Sequence, residues 1–335
     1  MRRHTLLFLL LAVGLSACGG SDSNPSGPGT PPKDTDTPVD TDPPADGGDG
    51  GDNPTKDTGD PVTELVSGLT APRDLTFGPA GSDLEDELFV VHFEGVEATW
   101  IKSVDTGPVQ QRFENSLVGA IAVDMDPASR FYFACLIPIM GASRGVITVR
   151  TFDGSVPDFQ YTGIDEPSGV AVDAEGGLFV FNRGSRSVVR IDFADGAASD
   201  RHGVEVIAEN LAVSDEILPS HLLVDGSGRL LIIETPADRV LMWAEEEITI
   251  FADATSGLAQ PVGIALLPTG NVLVANYGDG LLVEFDSAGT LVRTFDTELG
   301  ENRLQAVAVR GDGAVFIVDD EGGFGGLYRI NFDSQ

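Results

Sequence analysis

Two stretches decide the fold: Pro167-Ser-Gly-Val-Ala-Val-Asp-Ala-Glu-Gly-Gly-Leu-Phe-Val-Phe-Asn182 and Pro261-Val-Gly-Ile-Ala-Leu-Leu-Pro-Thr-Gly-Asn-Val-Leu-Val-Ala-Asn276. Each is an apolar run, a turn containing Gly, and a second apolar run, the pattern of a β-hairpin. Residues 219–234 and 304–319 repeat it, and weaker copies start at Pro72 and Val118. The six starts are spaced by 46, 49, 52, 42 and 43 residues.

That period suits one four-stranded blade of a β-propeller per repeat. Third strands are expected at 187–193 and 281–286, and fourth strands at 204–208 and 291–295. The strands are apolar at nearly every residue, as blades covered on both faces require. The sixth repeat is short: its third strand, 327–332, nearly reaches Gln335. The strand-like piece 62–67 has no other place. Pairing it with 327–332 closes the ring and removes an exposed sheet edge. The predicted fold class is all-β, a six-bladed propeller closed by an N-terminal strand.

The copies resemble NHL-type repeats, most closely in Val170-Ala-Val-Asp173 with Leu178-Phe-Val-Phe-Asn182. The resemblance covers about 62–332 and implies architecture more than activity, because the wider group spans binding modules, lactonases and lyases.

Residues 1–17 read as a signal peptide: Arg2 and Arg3, a short apolar run from Leu6 to Val13, then Leu15-Ser-Ala-Cys18. This run is too short to span a bilayer. Leu-Ser-Ala-Cys resembles the lipobox of bacterial lipoproteins, which implies lipidation at Cys18 and cleavage before it. Gly19, where Asp would signal inner-membrane retention, points to the outer membrane. The domain then lies in the periplasm or at the cell surface. Residues 18–61 are rich in Asp, Thr, Pro and Gly and cannot bury enough apolar area to fold, so they form a lipid-anchored, acidic, disordered tether. Residues 62–335 form the folded domain.

The net charge is −33, of which −27 falls on 62–335, since the tether holds ten Asp and two Lys. Such a field opposes nucleic acid and anionic head groups, and favours cations and basic partners. The partners expected are the bilayer, through the anchor, and a small-molecule or protein ligand; the chain is expected to be a monomer. Cys135 has no second mature cysteine to pair with, so no internal disulfide is expected.

The repeat register singles out one constellation. The six second-strand ends are His92, Cys135, Asn182, Glu234, Asn276 and Asp319, and the matching first-strand entries include Arg73, Asp74, His221 and Gln305. These groups are expected to converge on one channel mouth. His92, Asn182, His221, Glu234, Asn276 and Asp319 are candidate ligands for a divalent cation (Ca, Mg or Zn). His221 and Glu234, 13 residues apart on paired strands, are the candidate catalytic pair. Glu, Asn and Asp near the axis are similar to the metal site of the senescence-marker-protein/gluconolactonase group, and virginiamycin B lyase-like propellers place His and Glu in this region. The gluconolactonase motifs Glu-Gly-Pro and Asn-Gly are missing from convincing places. Of the lyase pattern Gly-Asn-Leu-Trp-Phe-Thr-Glu only Gly270-Asn-Val-Leu-Val-Ala-Asn276 comes near. Asp312 marks a hairpin turn, His202 a loop, and His4 lies in the signal peptide. The leading reading is an exported, membrane-anchored binding propeller. The alternative is a metal-dependent lyase or lactonase.

Overall fold

The computed structural model describes residues 61–94, 98–114, 117–136, 145–152, 159–161, 164–193 and 202–332. Cys18, its leader, the tether and His4 lie outside them. The first strand, β1 (Val62–Thr70), belongs to the last blade. Blade one is β2 (Pro72–Phe77), β3 (Leu88–His92), β4 (Ala98–Lys102) and β5 (Val109–Glu114). Blade two is β6 (Ala120–Met125), β7 (Arg130–Cys135), β8 (Val146–Thr151) and β9 (Phe159–Tyr161). Blade three is β10 (Pro167–Val172), β11 (Leu178–Asn182), β12 (Ser187–Phe193) and β13 (His202–Glu209), so His202 opens a strand rather than lying in a loop. Blade four is β14 (Leu222–Val224), β15 (Leu230–Glu234), β16 (Arg239–Ala244) and β17 (Glu247–Ala252). Blade five is β18 (Pro261–Leu266), β19 (Val272–Asn276), β20 (Leu281–Phe285) and β21 (Leu291–Asp296). Blade six is β22 (Leu304–Val309), β23 (Val315–Asp319), β24 (Phe324–Ile330) and, outermost, β1.

Six antiparallel sheets stand in a ring, with the first strand of each repeat innermost. β1 pairs with β24 from Val62 opposite Ile330 to Thr70 opposite Phe324, which closes the ring as the short sixth repeat requires. The second repeat begins at Ala120, two residues after Val118, because Ala120 pairs with Cys135 as Pro72 pairs with His92.

The core is divided among the six gaps between blades. Alternate side chains of each second strand enter different gaps: Leu178 and Val180 pack toward blade two, Phe179 and Phe181 toward blade four. In β3, Leu88 and Val90 face blade six while Phe89 and Val91 face blade two. Period-2 alternation therefore serves two apolar environments instead of one apolar and one wet one. All five residues of β3, β11, β15, β19 and β23 are buried. Outer strands do face water, and Ile250 of β17 and Val206 of β13 are exposed. The turn read at Asp312 is present, with Oδ1 accepting from Ala314 N at 3.0 Å.

Candidate functional site

The six second-strand ends do not converge on the channel. Alternation carries each into the gap between its own blade and the preceding one, where it ties down neighbouring backbone. His92 Nδ1 lies 2.8 Å from Thr70 O and its Nε2 2.8 Å from Thr99 Oγ1. Glu234 accepts from Ala212 N at 2.7 Å and pairs with Arg239. Asn276 Nδ2 donates to Gly257 O at 2.9 Å. Asp319 accepts from Gly326 N at 2.7 Å and pairs with Arg303. Asn182 is buried, and Cys135 is buried with Sγ 4.0 Å from Phe133 O. No three His, Cys, Asp or Glu among the described residues are placed to hold a metal ion. Glu234 and Asp319 are taken up by arginines, while the Oδ1 atoms of Asn182 and Asn276 are buried without a hydrogen-bond partner.

The first-strand entries separate as well. Arg73 turns to Asp320 at 2.5 Å, and Gln305 donates to Arg303 O at 3.2 Å. Asp74 and His221 point into the channel. They occupy the same place in their repeats, where the other four repeats hold Ala122, Gly169, Gly263 and Ala306. Five inner strands carry a register shift at this place, between Pro72 and Asp74 in blade one. A bulge re-aims the side chain that follows it. The small residues are there because inner strands approach closely: a Cβ on Gly169 would stand 1.9 Å from Ser220 O. Where the side chain is larger it must run into the channel. Blades one and four are opposite in the ring, and His221 reaches across to bring Nε2 3.4 Å from Asp74 Oδ1. The approach is close but not aligned as a hydrogen bond, and Nε2 is buried without a hydrogen-bond partner.

A third group, Asp124 of β6, joins them; the sequence reading did not single it out. It follows the buried run Ala120–Val123 near the end of an inner strand, a place that holds Thr76 in blade one and Ala or Leu in the other four. Its Oδ1 accepts from Met125 N and its Oδ2 from Val172 N, both at 2.8 Å. Asp74 makes the equivalent bonds to Leu75 N at 2.7 Å and Val123 N at 2.8 Å. Each carboxylate thus bridges the inner edges of two successive blades.

These groups line a cavity of about 400 Å³. It extends along the later halves of the inner strands to Gly78, Ala80, Glu85 and Gly311 in the loops that lead to the second strands. The cavity therefore opens on the face opposite the second-strand ends, where the sequence had pointed. His221 and Glu234 are not brought together: Glu234 does not line the cavity.

Burial dominates the protonation of the site. It drives the His221 pKa down to about 3, so the imidazole is neutral. Burial also pushes Asp74 well above the ordinary carboxylate range, against the pull of its two backbone N–H bonds. Asp124 is raised to about 6 by burial, again opposed by its N–H bonds, with Asp126 adding to the rise. Burial thus favours the uncharged form of both partners. A neutral imidazole facing a cavity beside a carboxylic acid can accept a proton or a hydrogen bond from a ligand.

The six-bladed propeller is a fold shared with solved structures of lyases and a gluconolactonase. A gluconolactonase from Xanthomonas campestris superposes with a TM-score of 0.60 at 16% identity, covering 81% of this chain and 89% of that one. Virginiamycin B lyase from Staphylococcus aureus, in a catalytically inactive form with quinupristin, gives 0.53 at 15% identity over 82% and 89%. Regucalcin from Agrobacterium tumefaciens, described as a calcium-binding protein, gives 0.56 at 12% identity over 80% and 94%. At these identities the likeness is one of fold. No family model and no curated protein sequence matches the chain.

Proposed function

We propose that the chain is an exported, lipid-anchored propeller that binds a small-molecule ligand in the channel cavity. The observation that carries this reading is the Asp74–His221 pair across the ring. Two polar groups from opposite blades meet in a cavity of about 400 Å³ lined by the inner strands, and one of their atoms has no protein partner. Such sites are concave and apolar with a few convergent polar groups. Leu15-Ser-Ala-Cys18 and Gly19 support an anchor in the outer membrane, with the domain carried as a monomer on the acidic tether. Thr76 lines the cavity and is only half-buried, so Thr76→Phe fills the space from a tolerant position. Ligands found by their effect on the melting temperature act by mass action on the folded state. Their effect is expected to vanish in Thr76→Phe; an equal response in both proteins would place the ligand elsewhere.

A lyase or lactonase is the second reading. It is favoured by the unpartnered His221 Nε2 beside an acid, the arrangement that proton transfer needs. The structural likeness to a lyase and a gluconolactonase is consistent with it at the level of fold. The metal-dependent form draws no support from the side chains present. Lactone-ring opening measured with chelator present should then disappear in His221→Asn and persist in Glu234→Gln; loss in neither variant removes this reading.

A further inference from the structure

The ionisable groups lining the cavity are Asp74, Glu85, Asp124 and His221, and no Lys or Arg is among them. The remaining walls include Val123, Val170, Leu223, Ile264 and Ala308. Asp74 and Asp124 stand on neighbouring inner strands, each oxygen accepting one backbone N–H. A carboxylate oxygen has two lone pairs, so each retains one for another donor. His221 Nε2, more than nine-tenths buried, also lacks a donor. The cavity therefore offers acceptors and negative charge, and no group that would compensate an anion.

A metal ion needs several ligands drawn close together, and no three His, Cys, Asp or Glu among the described residues are so placed. An ammonium needs fewer. It carries three donors, and its size suits the space beside two acceptors 3.4 Å apart. A cavity of this volume, with Val170, Leu223 and Ile264 among its walls, accommodates an organic body behind it.

We infer that the channel takes a small organic cation, a primary amine on an apolar body, whose ammonium donates to Asp74 and His221 after passing Asp124. The inference rests on the reading of the channel as the ligand site and adds the chemistry of the ligand. The titratable groups facing the ammonium are Asp74, Asp124, His221 and, at the rim, Glu85, with Asp126 behind Asp124. Burial favours the protonated form of Asp74 and a nearby ammonium favours its carboxylate, so binding is expected to release protons to the buffer.

Calorimetric titration of the full chain with cyclohexylamine and with cyclohexanol at pH 7.5 tests this, because the two probes share a shape and differ in charge. The amine is expected to bind at least about tenfold more tightly, as one desolvated charge pair supplies. Its heat should vary with the ionisation enthalpy of the buffer, and Asp124→Asn should weaken the amine and leave the alcohol unchanged. Equal affinities would overturn the cation and leave the channel standing as an apolar site. Binding of neither probe in the millimolar range would also overturn the cation, and the channel reading would then be decided separately by the Thr76→Phe melts.

Discussion

Glu234 carries an acid where a ligand had been expected, and its partners define a different role. It is 1% exposed, and its two oxygens hold Ala212 N and the Arg239 guanidinium. Glu234→Gln keeps the shape and removes an acceptor, so a buried donor loses its bond. The expected loss is about 1–3 kcal/mol in denaturant unfolding; an unchanged midpoint would contradict the anchoring role. Asp124 gives a pH signature of opposite sense to ordinary paired acids. Its folded pKa of about 6 exceeds the unfolded value of 3.8, so the folded state binds that proton more tightly. The stabilisation is complete below the unfolded value and is lost as pH rises through about 6. A rise of this size is worth about 3 kcal/mol. Asp74 acts in the same direction. Asp312, held down to about 2 chiefly by Arg310, contributes stability that is present above 3.8 and lost as pH falls through about 2. Asp124→Asn sacrifices an acceptor for Val172 N, so it should be less stable than wild type at pH 4. The gap in unfolding midpoint should narrow by pH 7, and a constant gap would refute the raised pKa.

At the scale of elements, β1 is the piece whose role is most easily isolated. It supplies Val66 and Leu69 to the core between blades six and one, and covers the free edge of β24. A chain beginning at Leu69 keeps little of that strand and should melt about 10 °C below one beginning at Asp60, for a loss of about 3 kcal/mol in a domain this large. Matching melts would mean that the ring does not depend on β1. This closure was legible in the sequence because two irregularities, a short last repeat and an unassigned first strand, had one solution. The blades were legible because unbroken apolar strands such as Leu178–Asn182 have to feed a gap on each side. The site was less so. Asp74 and His221 were in view, but one extra residue in the inner strand shifts the phase between first and second strands. Reading straight across the hairpin therefore joined His221 to Glu234. Aligning only the place held by Ala122, Gly169, Gly263 and Ala306 picks out the two large polar exceptions. Asp124 is the charged exception two residues further on, where the other repeats hold Thr76, Ala171, Leu223, Ala265 and Ala308, and its bonds to Met125 and Val172 give it its role.

At the scale of the whole molecule, the proposed function gives an acidic propeller a membrane address. Cys18→Ser is expected to abolish incorporation of a fatty-acid analogue and to release the protein from the membrane fraction, because two or more acyl chains are what hold such an anchor; equal labelling of both proteins would remove the anchor from the account. Net charge of −27 on residues 62–335 draws cations toward every concave surface, and the channel lining has carboxylates and no base stronger than an imidazole. In the proposed function this imidazole, neutral and close to Asp74, receives the ligand. Nitrogen-edited NMR of the His221 ring, assigned by its disappearance in His221→Asn, tests that claim most directly. The ring is expected to stay neutral down to about pH 4 and to shift on addition of cyclohexylamine. A ring that titrates near the ordinary histidine value of about 6.5 and ignores the amine would contradict it.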